Sequence, residues 1–156
     1  MILKSDSPKK TLQIGKILAE NIKKNDIICL FGGLGSGKTV LTQGIAMGLG
    51  IKKRLVISPS FVIIRKYTGR RLSLNHFDLY RLQKIDDILA LGYQEYFYDE
   101  AATVVEWAER MRGFLPEEYL KIEFFIKGAT RRLLKLTAFG RRYRDLLSRM
   151  HKSHEG

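Results

Sequence analysis

One segment restricts the fold of this chain more than any other: Gly32-Gly33-Leu34-Gly35-Ser36-Gly37-Lys38-Thr39. It fits G-x-x-x-x-G-K-[ST], a loop that does its work only between a buried strand and a helix. The flanks meet that condition. Ile27 to Phe31 is a short apolar run of the kind covered on both faces in a parallel sheet, and Lys38 to Leu49 has a helical pattern with Gly50 as its stop. Glycines let the loop curl until successive N–H groups face inward, and the helix N-terminus adds partial positive charge, so the segment is suited to hold phosphate. Lys38 then reaches the β- and γ-phosphates of a nucleoside triphosphate, and the Thr39 hydroxyl serves Mg²⁺. The alternative, a glycine-rich turn with no ligand, is disfavoured by the complete pattern in its proper setting.

Around this loop the periodicities predict an α/β protein, a three-layer P-loop NTPase-like fold. Its central sheet is mostly parallel with antiparallel additions, and helices lie on both faces. Ser7 is an N-cap with Pro8 at the first helical position, opening a helix from Pro8 to Lys23 with Leu12, Ile14, Ile17, Leu18 and Ile22 on its buried side. Val56 to Tyr67 reads as a loop through Ser58-Pro59-Ser60 into a strand. Thr68-Gly69 turns the chain into a second strand that ends near Phe77-Asp78, so the two form a hairpin. Short helices at Ile85–Leu91 and Tyr93–Tyr98 flank Gly92, and Ala102 to Val105 is a buried strand ending at Glu106. Strands Leu120–Ile126 and Leu133–Phe139 follow, then a basic helix near 141–150 with Tyr143, Leu146, Leu147 and Met150 on one side.

The 156 residues suit a single domain, with no repeat or linker. No apolar run approaches the roughly 20 residues of a membrane span, which predicts a cytoplasmic protein without membrane contact. The lone Cys29, inside IICLF, reads as a buried structural thiol. The net charge of +12 attracts polyanions, and Lys127 to Gly156 holds nine Lys or Arg against two acids. That basic end is either a solvated face or a contact for nucleic acid or protein.

The P-loop leaves the purpose of nucleotide binding open. Asp78 and Glu106, each at the end of a predicted strand, are the carboxylates that could hold a magnesium shell or orient water, unless they are ordinary solvated or capping acids. His76 reads as a half-buried strand histidine or as a proton carrier. Tyr80 and Arg81 could pack and pair locally, and Trp107 could be a core residue. Besides hydrolysis of the nucleotide, two readings of the site remain: a P-loop small-molecule kinase, and a nucleotide-sensing module that binds RNA or protein. The stretch from Thr39 to Ser58 is too short for an acceptor domain.

Gly32 to Thr39, Ser58-Pro59-Ser60-Phe61, His76-Phe77-Asp78-Leu79-Tyr80-Arg81 and Val105-Glu106-Trp107 occur in an order and approximate spacing that resemble the TsaE (YjeE) family. The resemblance covers residues 32 to 107 and implies an ATPase in the threonylcarbamoyladenosine (t6A) modification of tRNA. Such a protein supports turnover of a TsaB–TsaD complex, with TsaC upstream making the adenylate donor. It implies ATP or ADP and Mg²⁺ as ligands, bound by Gly33, Leu34, Gly35, Ser36, Gly37, Lys38, Thr39 and Val40. Thr11, Trp107 and Arg132 would lie near the nucleotide, and Thr39 and Glu106 would serve the metal. Lys38, Asp78 and Glu106 would carry catalysis, and Ser58 to Phe61 would be a switch loop. The basic surface is a candidate tRNA contact. Two positions depart from the family pattern: Gly33 stands where aspartate is common, which bears on hydrolysis rate, and Ser60 where threonine is common, which keeps the hydroxyl.

Overall fold

The structure, a computed structural model, describes residues 1–57 and 63–155. Among the described residues five α-helices and seven strands follow in the order β1 Ile2–Ser5, α1 Pro8–Ala19, β2 Ile27–Phe31, α2 Lys38–Gly48, β3 Ile64–Tyr67, β4 Leu74–Asp78, α3 Ile85–Leu89, α4 Tyr93–Phe97, β5 Ala102–Glu106, β6 Tyr119–Ile126, β7 Arg132–Phe139 and α5 Arg141–Glu155. The strands make one sheet, ordered β1-β7-β6-β2-β5-β4-β3. The central four, β6, β2, β5 and β4, run parallel; β3 and β7 run against them at the two sides, and β1, paired antiparallel to β7, runs in the same direction as the central four. The predicted sheet and the β3–β4 hairpin are therefore present.

Alternation along β2 divides the core. Ile28 and Leu30 pack with α1, α2 and α5, while Ile27 and Cys29 face the cluster formed with Ile88 of α3, Tyr93 and Phe97 of α4, and Met111. With both faces covered, β2 has no polar residue to spare, which is why its sequence reads as an unbroken apolar run.

Helix α1 begins as predicted: the Ser7 hydroxyl accepts a hydrogen bond from the Lys10 amide at 3.1 Å, and Pro8 needs no partner for a missing N–H. It ends at Ala19, short of the predicted Lys23. The next amides bond three residues back, and the Arg71 guanidinium, from the β3–β4 turn, takes the carbonyls of Ala19 and Ile22. Helix α5 runs five residues past Met150. Strand β1, absent from the sequence reading, pairs with β7 and seals that edge. The predicted switch segment Ser58 to Phe61 lies outside the described residues.

Candidate functional site

Strand β2 delivers the chain to the carboxyl edge of the sheet, where residues 32–37 turn into α2. Gly35 (φ +73°) and Gly37 (φ +106°) occupy the left-handed region, which a side chain would disfavour, and Gly37 is the N-cap of α2. No side chain caps that helix and its first turn holds no acid, so its leading N–H groups are available to an anion. Gly33 is different: its φ is not positive and a Cβ there would meet nothing within 4 Å, so the missing aspartate is not a steric necessity.

Lys38 opens α2 and folds back over the loop. Its ammonium donates to the carbonyls of Gly32 at 2.5 Å and Gly33 at 2.8 Å and to Ser36 Oγ at 3.2 Å, and stands 4.2 Å from the centre of the Trp107 ring. Burial holds its pKa below the usual lysine value, opposed by the charges of Glu109, Glu106 and Asp78. Glu109 was not foreseen. Its Oε2 accepts the Gly32 amide at 3.3 Å, and its place one 3-10 turn after Glu106 was the only sequence clue.

The parallel register of β4 and β5 sets Asp78 beside Glu106. Asp78 Oδ1 accepts the Tyr80 amide at 3.0 Å. Glu106 is 1% exposed; its Oε1 accepts the Thr39 hydroxyl at 2.8 Å, and its Oε2 meets His76 Nε2 and, at 3.4 Å, the Thr42 hydroxyl. Neither acid is a solvated carboxylate, because both are buried at the cleft, whereas the Tyr80 amide on Asp78 is a local cap of the kind the other reading allows. His76, expected to be half-buried, is fully buried, since β4 lies inside the sheet between β3 and β5 and not on an edge. Thr42 was also missed, although four residues after Lys38 is the same face of a helix.

Leu34, Gly35, Ser36, Gly37, Lys38, Thr39, Val40, Asp78, Glu106 and Trp107 line one cleft of about 230 Å³. Trp107 takes both of its sequence readings: it walls the cleft, packs against Tyr80 with ring centres 5.0 Å apart and planes tilted by 46°, and packs on the core beneath α3 and α4. Its φ of +58° aims the chain away from β5 directly after Glu106. Thr11 and Arg132 stand outside that lining. Thr11 is buried and shares a 2.8 Å hydrogen bond with Ser5, whereas Arg132 donates to the carbonyls of Ser36 and Gly35, each at 3.1 Å, bracing the loop from behind. Beside Arg132 a groove of about 430 Å³ collects Lys4, Lys10, Lys127 and Arg131 with Asp6 as its acid. A larger groove, about 910 Å³, surrounds the Arg142–Asp26 ion pair at the opposite edge, where β2 begins, and it shares no residue with the cleft.

Among the described residues no three His, Cys, Asp or Glu side chains form a metal cage. One hydroxyl and two neighbouring carboxylates nevertheless fit a hard divalent cation that keeps waters and takes its remaining ligands from phosphate oxygens. Among the described residues no helix is long and apolar enough to cross a membrane.

Comparison with known proteins gives the cleft a family. Residues 5–134 match the family model for "Threonylcarbamoyl adenosine biosynthesis protein TsaE". The tRNA threonylcarbamoyladenosine biosynthesis protein TsaE of Bacillus subtilis is 40% identical over 146 residues, covering 94% of this chain and 90% of that one. The protein of that name from Treponema pallidum is 37% identical over 113 residues, 72% of this chain and 82% of its own. The crystal structure of Bacillus subtilis YdiB superposes with a TM-score of 0.84 at 35% identity, over 100% of this chain and 96% of that one. On this evidence the chain belongs to the TsaE family.

Proposed function

We propose that this chain is a cytoplasmic, magnesium-dependent ATPase that serves threonylcarbamoyladenosine formation in tRNA by supporting turnover of a TsaB–TsaD complex, all 156 residues acting as one domain. The observation that carries the reading is the convergence of Lys38, Thr39, Asp78 and Glu106 on one phosphate-sized cleft at a helix N-terminus, in a chain of this family. The α2 amides and the Lys38 ammonium bind the β- and γ-phosphates, and Lys38 exchanges its bonds to the Gly32 and Gly33 carbonyls for phosphate oxygens. Thr39 and Glu106 are the residues that would hold magnesium, which when bound neutralises charge on the phosphates and supplies their template. Asp78, beside Glu106, orients the attacking water.

The kinase rival finds no support: α2 and a short turn at Lys53–Leu55 account for residues 38–55 and leave no acceptor lobe. The deciding experiment measures ATP hydrolysis by the chain alone, with TsaB–TsaD, and with that pair plus tRNA. Stimulation by the pair, with multiple rounds of modification only when ATP is hydrolysable, is the expected result. Modification that proceeds equally without this chain refutes the reading.

A further inference from the structure

Glu106 has four lone-pair directions and little solvent to fill them, its side chain being 2% exposed. Thr39 takes one on Oε1. On Oε2 the Thr42 hydroxyl stands at 3.4 Å, but its single proton goes first to the Lys38 carbonyl at 2.9 Å, the ordinary back-bond of a helical threonine. The firm donor to Oε2 is therefore His76 Nε2. His76 is itself fully buried, and among the described residues its Nδ1 has no partner, so the ring makes one polar contact. The register explains why it can: His76 pairs with Val104, one pleat behind Asp78 and Glu106, and Leu74, His76, Ala102, Val104 and Glu106 share the face that α2 covers.

We propose that His76 is a positioning residue for Glu106: it pins Oε2 to the sheet and thereby presents Oε1 to Thr39 and to a divalent cation in the cleft. The proposal rests on the ATPase reading and deepens it. A carboxylate held at one oxygen has one orientation in which the other faces the phosphate loop. Released, it turns about its last torsion, and the cation loses a preoriented ligand. Partners that orient metal ligands contribute about 10- to 100-fold to metal affinity. The nucleotide's own contacts, through Lys38 and the α2 amides, do not pass through His76.

The test compares the full chain with His76→Gln, which keeps an N–H at nearly the same reach, His76→Asn, whose donor stops short, and His76→Leu, which has none. Calorimetry measures Mg²⁺ binding to the ADP complex and ADP binding without metal, and hydrolysis is followed against Mg²⁺ concentration. We expect His76→Leu and His76→Asn to weaken Mg²⁺ binding about 10-fold or more. ADP affinity without metal should stay unchanged and His76→Gln should restore most of the loss. Should His76→Leu fail to fold, the contrast between Asn and Gln decides. Wild-type Mg²⁺ binding in His76→Asn, or loss of metal-free ADP binding in step with Mg²⁺, overturns the proposal. If the unaltered chain binds no magnesium nucleotide at all, the ATPase reading itself has failed.

Discussion

Replacing Gly44 by alanine sets two effects against each other with opposite signs. In a helix interior alanine is favoured over glycine by about 1 kcal/mol, so propensity alone predicts a stabler protein. The packing predicts the reverse. A Cβ on Gly44 would stand 2.2 Å from the Leu12 carbonyl oxygen and 3.1 Å from the Gly15 Cα, because α1 and α2 cross there backbone to backbone. Ordinary contact begins near 3.4 Å, so the helices must part by about an ångström, and a carbonyl inside α1 cannot swing aside as a side chain would. Overpacking costs about 1–3 kcal/mol; taking the upper end and subtracting the propensity gain leaves about 2 kcal/mol of destabilisation. For a chain of this size that lowers Tm by roughly 4–8 °C. Thermal unfolding followed by circular dichroism reads it, with Gly33→Ala, whose Cβ meets nothing, as the control. ADP affinity should fall as well, since α2 carries Lys38, Thr39 and Thr42. An unchanged or higher Tm for Gly44→Ala would show that propensity outweighs the helix contact and would refute the reasoning.

Other outcomes follow from the same geometry. Glu106→Gln keeps the shape but removes a charge facing the metal position, so magnesium-dependent hydrolysis should fall about 100-fold with the far-UV spectrum intact; turnover within 3-fold of the parent would argue against its role. Gly33→Asp enters open, exposed space and should change stability by no more than about 0.5 kcal/mol while raising turnover; a collapse in Tm would contradict the loop geometry. Burial raises the Cys29 thiol above its ordinary value of 9.0, so the folded state keeps a proton that the unfolded chain loses. Its contribution is complete below pH 9 and declines above it by about 1.4 kcal/mol per pH unit. Tyr143 acts in the same direction above pH 10.0 and Lys38 in the opposite one. Denaturant titrations between pH 8 and 10.5 should show Cys29→Ala with the shallower slope, and parallel slopes would remove Cys29 from the account.

The parts of the fold that were legible in the sequence are those whose cause is local. Ile27–Phe31 announces a two-sided strand by being apolar throughout, the glycines announce the loop, and Ser7-Pro8 announces a helix start. Strand β1 announces nothing: its four residues pair with β7, more than 120 positions away, and only that pairing makes them a strand. The same limit applies to the site. Lys38, Thr39 and Glu106 carry signatures in their neighbours, but the contacts of Thr42 and His76 with Glu106 span 64 and 30 residues and exist only once α2 lies over β4 and β5. Arg132 was placed near the nucleotide by resemblance, while its bonds to the loop carbonyls of Gly35 and Ser36 reflect the approach of β7 to the loop, which no periodicity encodes.

The phosphate cradle around Lys38 is the claim on which the rest stands, and calorimetric titration of the full chain and of Lys38→Ala with ADP and ATP, with and without Mg²⁺, tests it most directly. The account predicts one nucleotide per chain for the parent and, for Lys38→Ala, affinity weaker by about 10- to 150-fold, the worth of a charge-assisted hydrogen bond to phosphate. Equal binding by the two proteins, or no binding by the parent at low salt with magnesium present, would contradict it.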